Sequence, residues 1–359
     1  MRKLASIQKI WKIEPIEGAD RIELAHVCGW QCVVKKGEFK EMETAVYFEI
    51  DSFLPIRPEF EFLRGSSYKK SEILGEGFKL KTQRFRGEIS QGLLLPISSF
   101  PELEGKKLIV GDDVTDLLHV KKWEIEERVT DSGTIIGERP SFIPKTDETR
   151  VQAEPDEIKE FFGKPYYITQ KMDGSSHSVG IDEDGSLHVC GHNYEYADDG
   201  KSTFYEYVKK NEVERKMRAM MNELPEIKSL VLQGEWCGPG IQRNPVGLKV
   251  GHWFVFTVIV NGHRLGRSNI WKDDMFEFVH HMGLETVPIV EEGNTFPCQT
   301  PEELLALADG EYEKYDGLKE SHQREGIVIR PFVPVQSKVT GTWLSMKAVS
   351  NAYLLKKKG

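Results

Sequence analysis

The pattern of apolar and turn-forming residues changes along the chain near residue 150. Residues 1–125 contain short runs rich in Val, Ile, Tyr and Phe, broken by Gly and Pro, such as IELAHVCGWQCVVKKG and TAVYFEIDSFLP. Such runs predict a mostly β domain, either a small barrel or a sandwich. Residues 126–150 are polar and show little periodicity, which predicts a linker. A length of 359 residues leaves room for two or three domains.

Residues 151–359 mix predicted strands with predicted helices. The segments SLVLQGEW, HWFVFTVIVNG and EGIVIRPF predict strands. Apolar residues at helical spacing predict helices over Ser202–Glu223, Asn269–Met282 and Pro301–Tyr315. Because strands and helices are mixed without a strict βαβ repeat, this part of the chain is predicted to be an α+β domain.

Composition and charge exclude several classes of protein. Hydrophobic residues make up 39% of the chain and charged residues 29%, which excludes a largely disordered protein. No apolar run approaches the roughly 20 residues that span a bilayer, and the N-terminus lacks a signal-peptide core. We therefore expect a cytoplasmic protein with no membrane partner. The five cysteines are scattered, which favours neither a disulfide framework nor a zinc site.

The net charge of −9 means that any nucleic-acid contact must use a local basic surface. Between Arg64 and Arg86 there are seven basic and only two acidic residues, with three aromatic residues interleaved. Cations beside aromatic rings suit a phosphate backbone with unstacked bases. A solvated loop whose aromatic residues pack inward is an equal alternative. The predicted nucleic-acid contacts are Lys79, Lys81, Arg84 and Arg86.

The first candidate for chemistry is Lys171 in YYITQKMDGSSHSVG (Tyr166–Gly180). It ends an apolar β-like run and is followed closely by Asp173 and Gly174. Burial at a strand end disfavours the ammonium form, and a neutral amine is a competent nucleophile. Glycine lets a backbone approach a ligand closely. On these residues alone, an exposed lysine beside an Asp-Gly turn is the alternative.

Four further candidates lie in or beside predicted strands. Glu235 enters the glycine-rich loop of LQGEWCGPGIQRNP, where its carboxylate could accept hydrogen bonds from ribose hydroxyls. Phe254 and Phe256 share one face of an aromatic strand, where either ring could stack on a base. Glu325 opens EGIVIRP, and Lys347 is the one basic residue of SMKAVSN. Each also has a structural alternative: a solvated strand end, a core ring, an edge residue or an exposed lysine.

The order of these motifs resembles the covalent nucleotidyltransferases, which comprise DNA ligases, RNA ligases and capping enzymes. Lys-x-Asp-Gly is followed by Gly-Glu, an aromatic strand, Glu-Gly-Ile-Val and a last lysine. LQGEWCGPGIQRNP and IPKTDETRVQ (Ile143–Gln152) are similar to segments of RNA ligases that seal nicked duplexes. IEPIEGADRIELAHVCGWQCVVKKGEF and YFEIDSFLP resemble the N-terminal OB-type module of the Deinococcus-type RNA ligases.

The resemblance covers nearly the whole chain and implies a domain arrangement. It implies an all-β OB-type barrel domain over 1–125, a linker and entry segment over 126–150, and an α+β nucleotidyltransferase domain over 151–359. The implied partner is a nicked RNA duplex or an RNA–DNA hybrid, sealed by a monomeric enzyme in RNA repair.

The resemblance also implies a role for each motif residue. Lys171 would attack the α-phosphate of ATP and become lysyl-AMP, while Lys347 contacts that phosphate. The AMP would pass to a 5′-phosphate, and the adjoining 3′-hydroxyl would then expel it. Glu325 and Asp173 would organise Mg²⁺ or Mn²⁺. Gln170 would face the adenine edge, Phe256 would stack on the base and Glu235 would hold the ribose. The implied ATP-binding residues are Gln170, Asp173, Gly174, Asn193, Glu235 and Phe256.

Two positions depart from the family pattern. The last motif usually reads KxK, but Ser345 occupies its first position, and Lys338 is a candidate to replace that phosphate contact. The family often has Arg-Asn where this chain has His192-Asn193.

Three other functions share parts of this motif pattern. A DNA ligase or a capping enzyme usually carries a C-terminal OB domain, and we do not expect one in the short stretch after Lys347. A non-catalytic RNA-binding protein on a ligase core is disfavoured because Lys171, Asp173, Glu235 and Glu325 are all present.

Overall fold

The chain folds into two compact units. The computed structural model describes residues 2–123, 133–312 and 322–356. The first unit covers the described residues up to 123 together with Gln152–Pro155, and the second covers the described parts of Glu127–Val151 and Asp156–Lys356. Among the described residues, no helix has both the length and the apolar character needed to cross a membrane.

The first unit is mostly β, as its sequence predicts. It contains one short helix, α1 (Arg64–Ser67), and 3₁₀ turns at Pro58–Leu63, Ile97–Ser99 and Pro101–Leu103. Its strands are β1 (Ala5–Pro15), β2 (Ile22–Val27), β3 (Trp30–Lys35), β4 (Thr44–Phe48), β5 (Ser52–Pro55), β6 (Tyr68–Ser71), β7 (Gly75–Lys79), β8 (Gln83–Phe85), β9 (Glu88–Ser90), β10 (Leu93–Leu95) and β11 (Lys121–Lys122).

These strands form two sheets and a hairpin. The order of the larger sheet is β10–β4–β1–β2–β3, that of the smaller is β11–β5–β7–β6, and β8 pairs with β9. The apolar core of this unit is built largely from aromatic and branched side chains. They include Ile7, Val46, Phe48, Leu54, Phe60, Phe78 and Phe100.

The second unit mixes helices with strands, which confirms the predicted α+β class. Its helices are α2 (Thr203–Lys210), α3 (Val213–Glu223), α4 (Met275–His281), α5 (Pro301–Ala308) and α6 (Asn351–Lys356), with 3₁₀ turns at Pro155–Phe161 and Trp271–Asp273. Its strands are β12 (Ile135–Glu138), β13 (Thr149–Arg150), β14 (Tyr166–Lys171), β15 (Ser175–Ile181), β16 (Leu187–Cys190), β17 (Tyr194–Tyr196), β18 (Leu230–Cys237), β19 (His252–Val260), β20 (His263–Arg264), β21 (Glu285–Thr286), β22 (Ile289–Gly293), β23 (Gly326–Pro331) and β24 (Met346–Val349).

Two sheets organise the second unit. One follows the order β12–β17–β16–β15–β18–β19–β20, with β21 paired to β19, and the other follows β13–β24–β23–β14–β22. The three residues Met172 to Gly174 connect β14 of the second sheet directly to β15 of the first. This short connection therefore places the C-terminal end of β14 next to β15, the middle strand of the other sheet.

Three elements differ from the sequence-based expectations. The helix predicted over Ser202–Glu223 is two helices, because Asn211 caps the first and Glu212 adopts a left-handed φ of 54°. The helix predicted from Asn269 begins only at Met275, where the Asp274 side chain caps it. The helix predicted to Tyr315 ends at Ala308, and its last three predicted residues lie outside the described part of the chain.

The predicted linker is also partly structured. Residues 126–132 lie outside the described residues, but 133–150 contribute β12 and β13 to the second unit. Both are short edge strands that pair through their backbones, so they need no apolar pattern and leave no periodic signal in the sequence.

Candidate active site

The predicted nucleophile stands at the end of a buried strand. All residues of β14 before Lys171 are buried, as expected for a strand inside a sheet. Lys171 pairs with Gly326 on β23, and Val328 pairs with both Thr169 on β14 and Lys347 on β24. Since directly paired residues share a face and alternate residues along a strand do too, Lys171 and Lys347 point to the same side of this sheet.

Three carboxylates surround Lys171. Its Nζ lies 2.6 Å from Oε2 of Glu325, the residue that precedes β23, and both side chains are largely buried. Glu235 comes from β18 of the other sheet, and its Oε1 accepts a hydrogen bond from the Gly174 backbone N–H at 3.1 Å. Asp173 is buried two residues after the lysine. The short connection between the sheets therefore assembles the predicted groups.

The charges in this cluster alter its titration. Burial opposes the ammonium form, but the carboxylates of Glu325, Glu235 and Asp173 outweigh it and raise the pKa of Lys171 above its usual value. Burial therefore acts in the expected direction, but the sequence did not show that these carboxylates outweigh it. Burial and the neighbouring charges of Glu325 and Asp173 raise the pKa of Glu235 to about 8. The cluster holds more negative charge than one ammonium balances.

This surplus of negative charge fits a divalent cation. Among residues 2–123, 133–312 and 322–356, no three His, Cys, Asp or Glu side chains are arranged to hold a metal ion unaided. Mg²⁺ usually takes one or two carboxylates and completes its shell with substrate phosphates and water. The donors beside Lys171 match that description, and Glu325 and Asp173 remain the predicted ligands.

Gly174 is required by close packing between the strands. A Cβ atom there would lie 2.4 Å from the Trp236 carbonyl oxygen and 2.7 Å from the Cys237 sulfur. Real Cβ atoms essentially never approach other atoms so closely. Glycine therefore lets the segment after Lys171 pass against β18.

The two candidate stacking residues differ in burial. Phe254 is 2% exposed and packs inside an apolar cluster with Met172, Cys237 and Tyr312. Phe256 packs against the same cluster but is only half-buried, so part of its side chain is accessible. The strand pairing skips Phe256, because β18 and β19 shift register between Val255 and Thr257. This greater exposure favours Phe256 over Phe254 as the base contact.

The first departure from the family pattern involves a buried arginine. Arg330 donates from Nε to the Ser345 hydroxyl at 3.1 Å and from Nη2 to a Glu148 carboxylate oxygen at 2.5 Å. It also donates to the Phe256 carbonyl, and its guanidinium lies 5.8 Å from the centroid of that ring. Lys338 is exposed in the loop between β23 and β24, where its backbone N–H donates to Glu160.

The second departure lies in the turn between β16 and β17. Lys145 donates to the Asn193 amide oxygen at 3.2 Å, and His192 lies 3.6 Å from Asp147. This turn is therefore tied to the entry segment.

Gln170 precedes Lys171, so strand alternation places the two side chains on opposite faces. Its amide oxygen is buried and has no hydrogen-bond partner within the described part of the chain.

Comparison with known proteins identifies the family. A model of RNA ligase matches residues 164–349, and a model of an OB-fold domain matches residues 4–97. The chain belongs to the RNA ligase family. The OB-fold match also confirms the fold class expected for the first unit. No curated protein matches the sequence.

Solved structures of a Naegleria gruberi RNA ligase resemble the entire chain of this RNA ligase family member. The structure with pyrophosphate is 36% identical in sequence and has a TM-score of 0.83. The match covers 100% of this chain and 99% of the Naegleria gruberi chain. A variant with ATP and manganese is 36% identical, covers 100% of both chains and has a TM-score of 0.84. Another variant, with AMP and manganese, is 36% identical and covers 99% of each chain, also with a TM-score of 0.84.

Two tyrosines complete the site of this RNA ligase family member, and sequence reasoning missed both. The Tyr312 hydroxyl donates to the Lys171 carbonyl at 3.1 Å and accepts from the Glu325 N–H at 3.0 Å. The Tyr353 hydroxyl, from α6, donates to Asp173. Burial and the charge of Glu325 raise the pKa of both phenols, so both remain protonated donors. Tyr312 lies 141 residues from Lys171, and Tyr353 lies 180 residues from Asp173. No local motif marks either tyrosine.

The predicted nucleic-acid contacts all lie in the OB-fold unit. Lys79 ends β7, and its Nζ lies 4.9 Å from the Trp123 ring centroid. Lys81, Arg84 and Arg86 are exposed, with Arg86 in the turn between β8 and β9. Three of the four predicted cations are therefore open to solvent.

Proposed function

We propose that this protein is an ATP-dependent RNA ligase that seals 3′-hydroxyl and 5′-phosphate ends through lysyl-AMP. The observation that carries the proposal is the 2.6 Å contact between Lys171 and Glu325 inside a cluster of three carboxylates. Family membership and the ATP, AMP and pyrophosphate named for the Naegleria gruberi structures support the same activity.

The nucleophile follows from the position of Lys171. Its Nζ would attack the α-phosphorus of ATP, form a P–N bond and release pyrophosphate. The attack needs a neutral amine, whereas the surrounding carboxylates favour the ammonium, so Nζ would first lose a proton to solvent water. Glu325 Oε2 holds the Nζ by a hydrogen bond and thereby fixes the direction of attack. A divalent Mg²⁺ or Mn²⁺, held by Glu325 and Asp173, would neutralise carboxylate and phosphate charge.

The remaining groups would bind and orient the nucleotide. Lys347 shares a face with Lys171, so its charge suits the α-phosphate, where negative charge spreads over the oxygens during transfer. The half-buried ring of Phe256 suits adenine, and Glu235 suits the ribose. Gln170, Gly174 and Asn193 stay predicted contacts.

The substrate and its binding surface are part of the proposal. AMP would pass to the 5′-phosphate of a nicked RNA duplex or RNA–DNA hybrid, and the adjoining 3′-hydroxyl would expel it. Lys79, Lys81, Arg84 and Arg86 of the OB-fold unit would contact the nucleic acid. We further propose that the enzyme acts as a monomer and in RNA repair.

Incubation with α-labelled ATP and Mg²⁺ or Mn²⁺, followed by a denaturing gel, tests the proposal. We expect covalent label on the wild-type protein through an acid-stable phosphoramidate, and none on Lys171→Ala. Lys171→Ala should also fail to seal from free ATP while still sealing a pre-adenylylated strand, because that last step needs no nucleophilic lysine.

Two results would contradict the assignment. Undiminished labelling of Lys171→Ala would exclude this lysine as the nucleophile. Equal labelling from GTP would favour a capping enzyme over an ATP-dependent ligase.

A further inference from the structure

We propose that the tip of the β8–β9 hairpin is a platform for an unstacked base of the RNA substrate. Phe85 would stack on the base, while Arg84 and Arg86 would contact the neighbouring phosphates. The inference rests on the proposed function and names the contact that the OB-fold unit makes with RNA.

The first observation is an arginine in a strained turn. Phe85 pairs with Glu88, so Arg86 and Gly87 alone connect the two strands. Their φ angles are 50° and 92°. Two-residue hairpin turns with both φ angles positive favour Asn, Asp or Gly at the first position, because other side chains are strained there. The hairpin does not need an arginine at this position, and such strain points to a function of the side chain.

The second observation is the exposure of one aromatic ring. Phe78 is fully buried, and Tyr68 is half-buried with the Arg64 guanidinium 5.1 Å from its ring centroid. Phe85 is 41% exposed. Of the three aromatic residues interleaved in the basic run, Phe85 is therefore the one with a ring that can receive a base.

The third observation is the charge around that ring. Arg84 and Arg86 flank Phe85 in sequence, and both are exposed. The Arg84 Nη1 donates to the Gly87 carbonyl at 2.7 Å, which holds the guanidinium along the turn. One exposed ring with an exposed arginine before and after it in the sequence suits a base and its neighbouring phosphates, since single-stranded nucleic acids bind through stacking and phosphate contacts together. A protein partner would need a wider apolar surface than one ring provides.

The test uses the full-length protein and a nicked RNA duplex with an unpaired 2-aminopurine at the nick. Stacking of this base on a ring quenches its fluorescence. We expect Phe85→Leu to abolish the quenching and weaken binding about tenfold, while Phe85→Trp retains both. Phe62→Leu is the matched control, because Phe62 is 63% exposed in the same unit but lies outside the hairpin, directly after Glu61 in the 3₁₀ turn Pro58–Leu63.

Arg86→Gly separates charge from folding. Glycine accepts a positive φ without strain, so the hairpin should be at least as stable as in the wild type. Binding should nevertheless weaken. The slope of log affinity against log salt concentration should become less steep by about one unit, which corresponds to one lost phosphate contact. Unchanged affinity and slope in Arg86→Gly would overturn the phosphate role of this arginine.

Lysyl-AMP formation is measured in the same samples, so that the two proposals are tested separately. Normal labelling with weakened RNA binding in Phe85→Leu supports the platform. Normal labelling with wild-type RNA binding overturns the platform and leaves the ligase proposal intact. Equal losses of RNA binding in Phe85→Leu and Phe62→Leu would also overturn the platform. So would a Phe85→Leu protein with a changed oligomeric state but unchanged RNA affinity.

Discussion

A single phenol joins the backbones of the two residues on which catalysis is proposed to depend. The Tyr312 hydroxyl bonds the Lys171 carbonyl and the Glu325 N–H, which fixes the two strand ends that set the Lys171–Glu325 contact. We predict that Tyr312→Phe slows lysyl-AMP formation about tenfold, since two hydrogen bonds of about 0.5–1.5 kcal/mol each are lost. Single-turnover labelling at saturating ATP measures this rate, and the KM for ATP should change less.

The control for Tyr312 is another buried tyrosine, which lies on the strand that ends at Lys171. The Tyr166 hydroxyl bonds Glu291 at the opposite end of β14, so Tyr166→Phe also removes a phenol hydrogen bond but leaves the Lys171 end intact. If both variants slow labelling equally, the effect is a general loss of stability and Tyr312 has no specific positioning role.

His177 links stability to pH. Burial lowers the pKa of His177 to about 4, and its ring packs 4.2 Å from that of Phe204. The unfolded chain protonates this histidine near its ordinary pKa of about 6.5, whereas the folded chain resists protonation. The free energy of unfolding therefore has its full value above about pH 6.5. It falls as the pH drops toward 4, by roughly 3 kcal/mol in total from this histidine.

Urea unfolding between pH 7.5 and 4.5 measures this dependence. His177→Gln should flatten the loss of unfolding free energy with falling pH, because glutamine does not titrate. His263→Gln, which changes an exposed histidine of the same unit, should leave the slope unchanged. An identical slope in wild type and His177→Gln would show that other groups cause the acid sensitivity.

Among the structural elements, the connection between β14 and β15 depends on the absence of a side chain at Gly174. A Cβ at Gly174 would meet the backbone of Trp236, which belongs to the central strand β18 and has little room to shift. We predict that Gly174→Ala displaces the connection and slows lysyl-AMP formation about 100-fold, the scale expected when reacting groups move by about 1 Å.

Gly137→Ala provides the comparison for this element. Gly137 lies on the edge strand β12 of the same unit, and a Cβ there would have no atom within 4 Å. Labelling by this variant should match the wild type. Wild-type labelling by Gly174→Ala as well would mean that the connection adapts without moving Lys171.

The same elements show which features a sequence can predict. The strands β14, β18, β19 and β23 are rich in apolar residues, because they are largely buried, and the sequence predicted them. The division of one helix at Glu212 was not predicted, since a left-handed residue leaves no periodic signal. The raised pKa of Lys171 also escaped prediction, because it depends on carboxylates brought from three separate segments.

At the scale of the whole molecule, the two units divide the proposed work. All residues proposed for lysyl-AMP formation, from Gln170 to Tyr353, belong to the second unit, and the exposed hairpin belongs to the first. We therefore predict that a truncated protein starting at Gly133 still forms lysyl-AMP. This start retains β12, which pairs with β17 and would be lost in a chain beginning near Pro140.

The truncated protein should seal nicked RNA duplexes poorly, because it lacks the cations proposed to hold the strands. Replacing Lys79, Lys81, Arg84 and Arg86 with Ala in the full-length protein should weaken binding in the same direction and flatten its salt dependence, by about one released counterion for each lost phosphate contact. Nick binding and sealing across a salt series measure both effects. The net charge of −9 leaves little other basic surface to compensate. Sealing by the truncated protein at the full-length rate would instead assign the OB-fold unit another role, such as binding a partner protein.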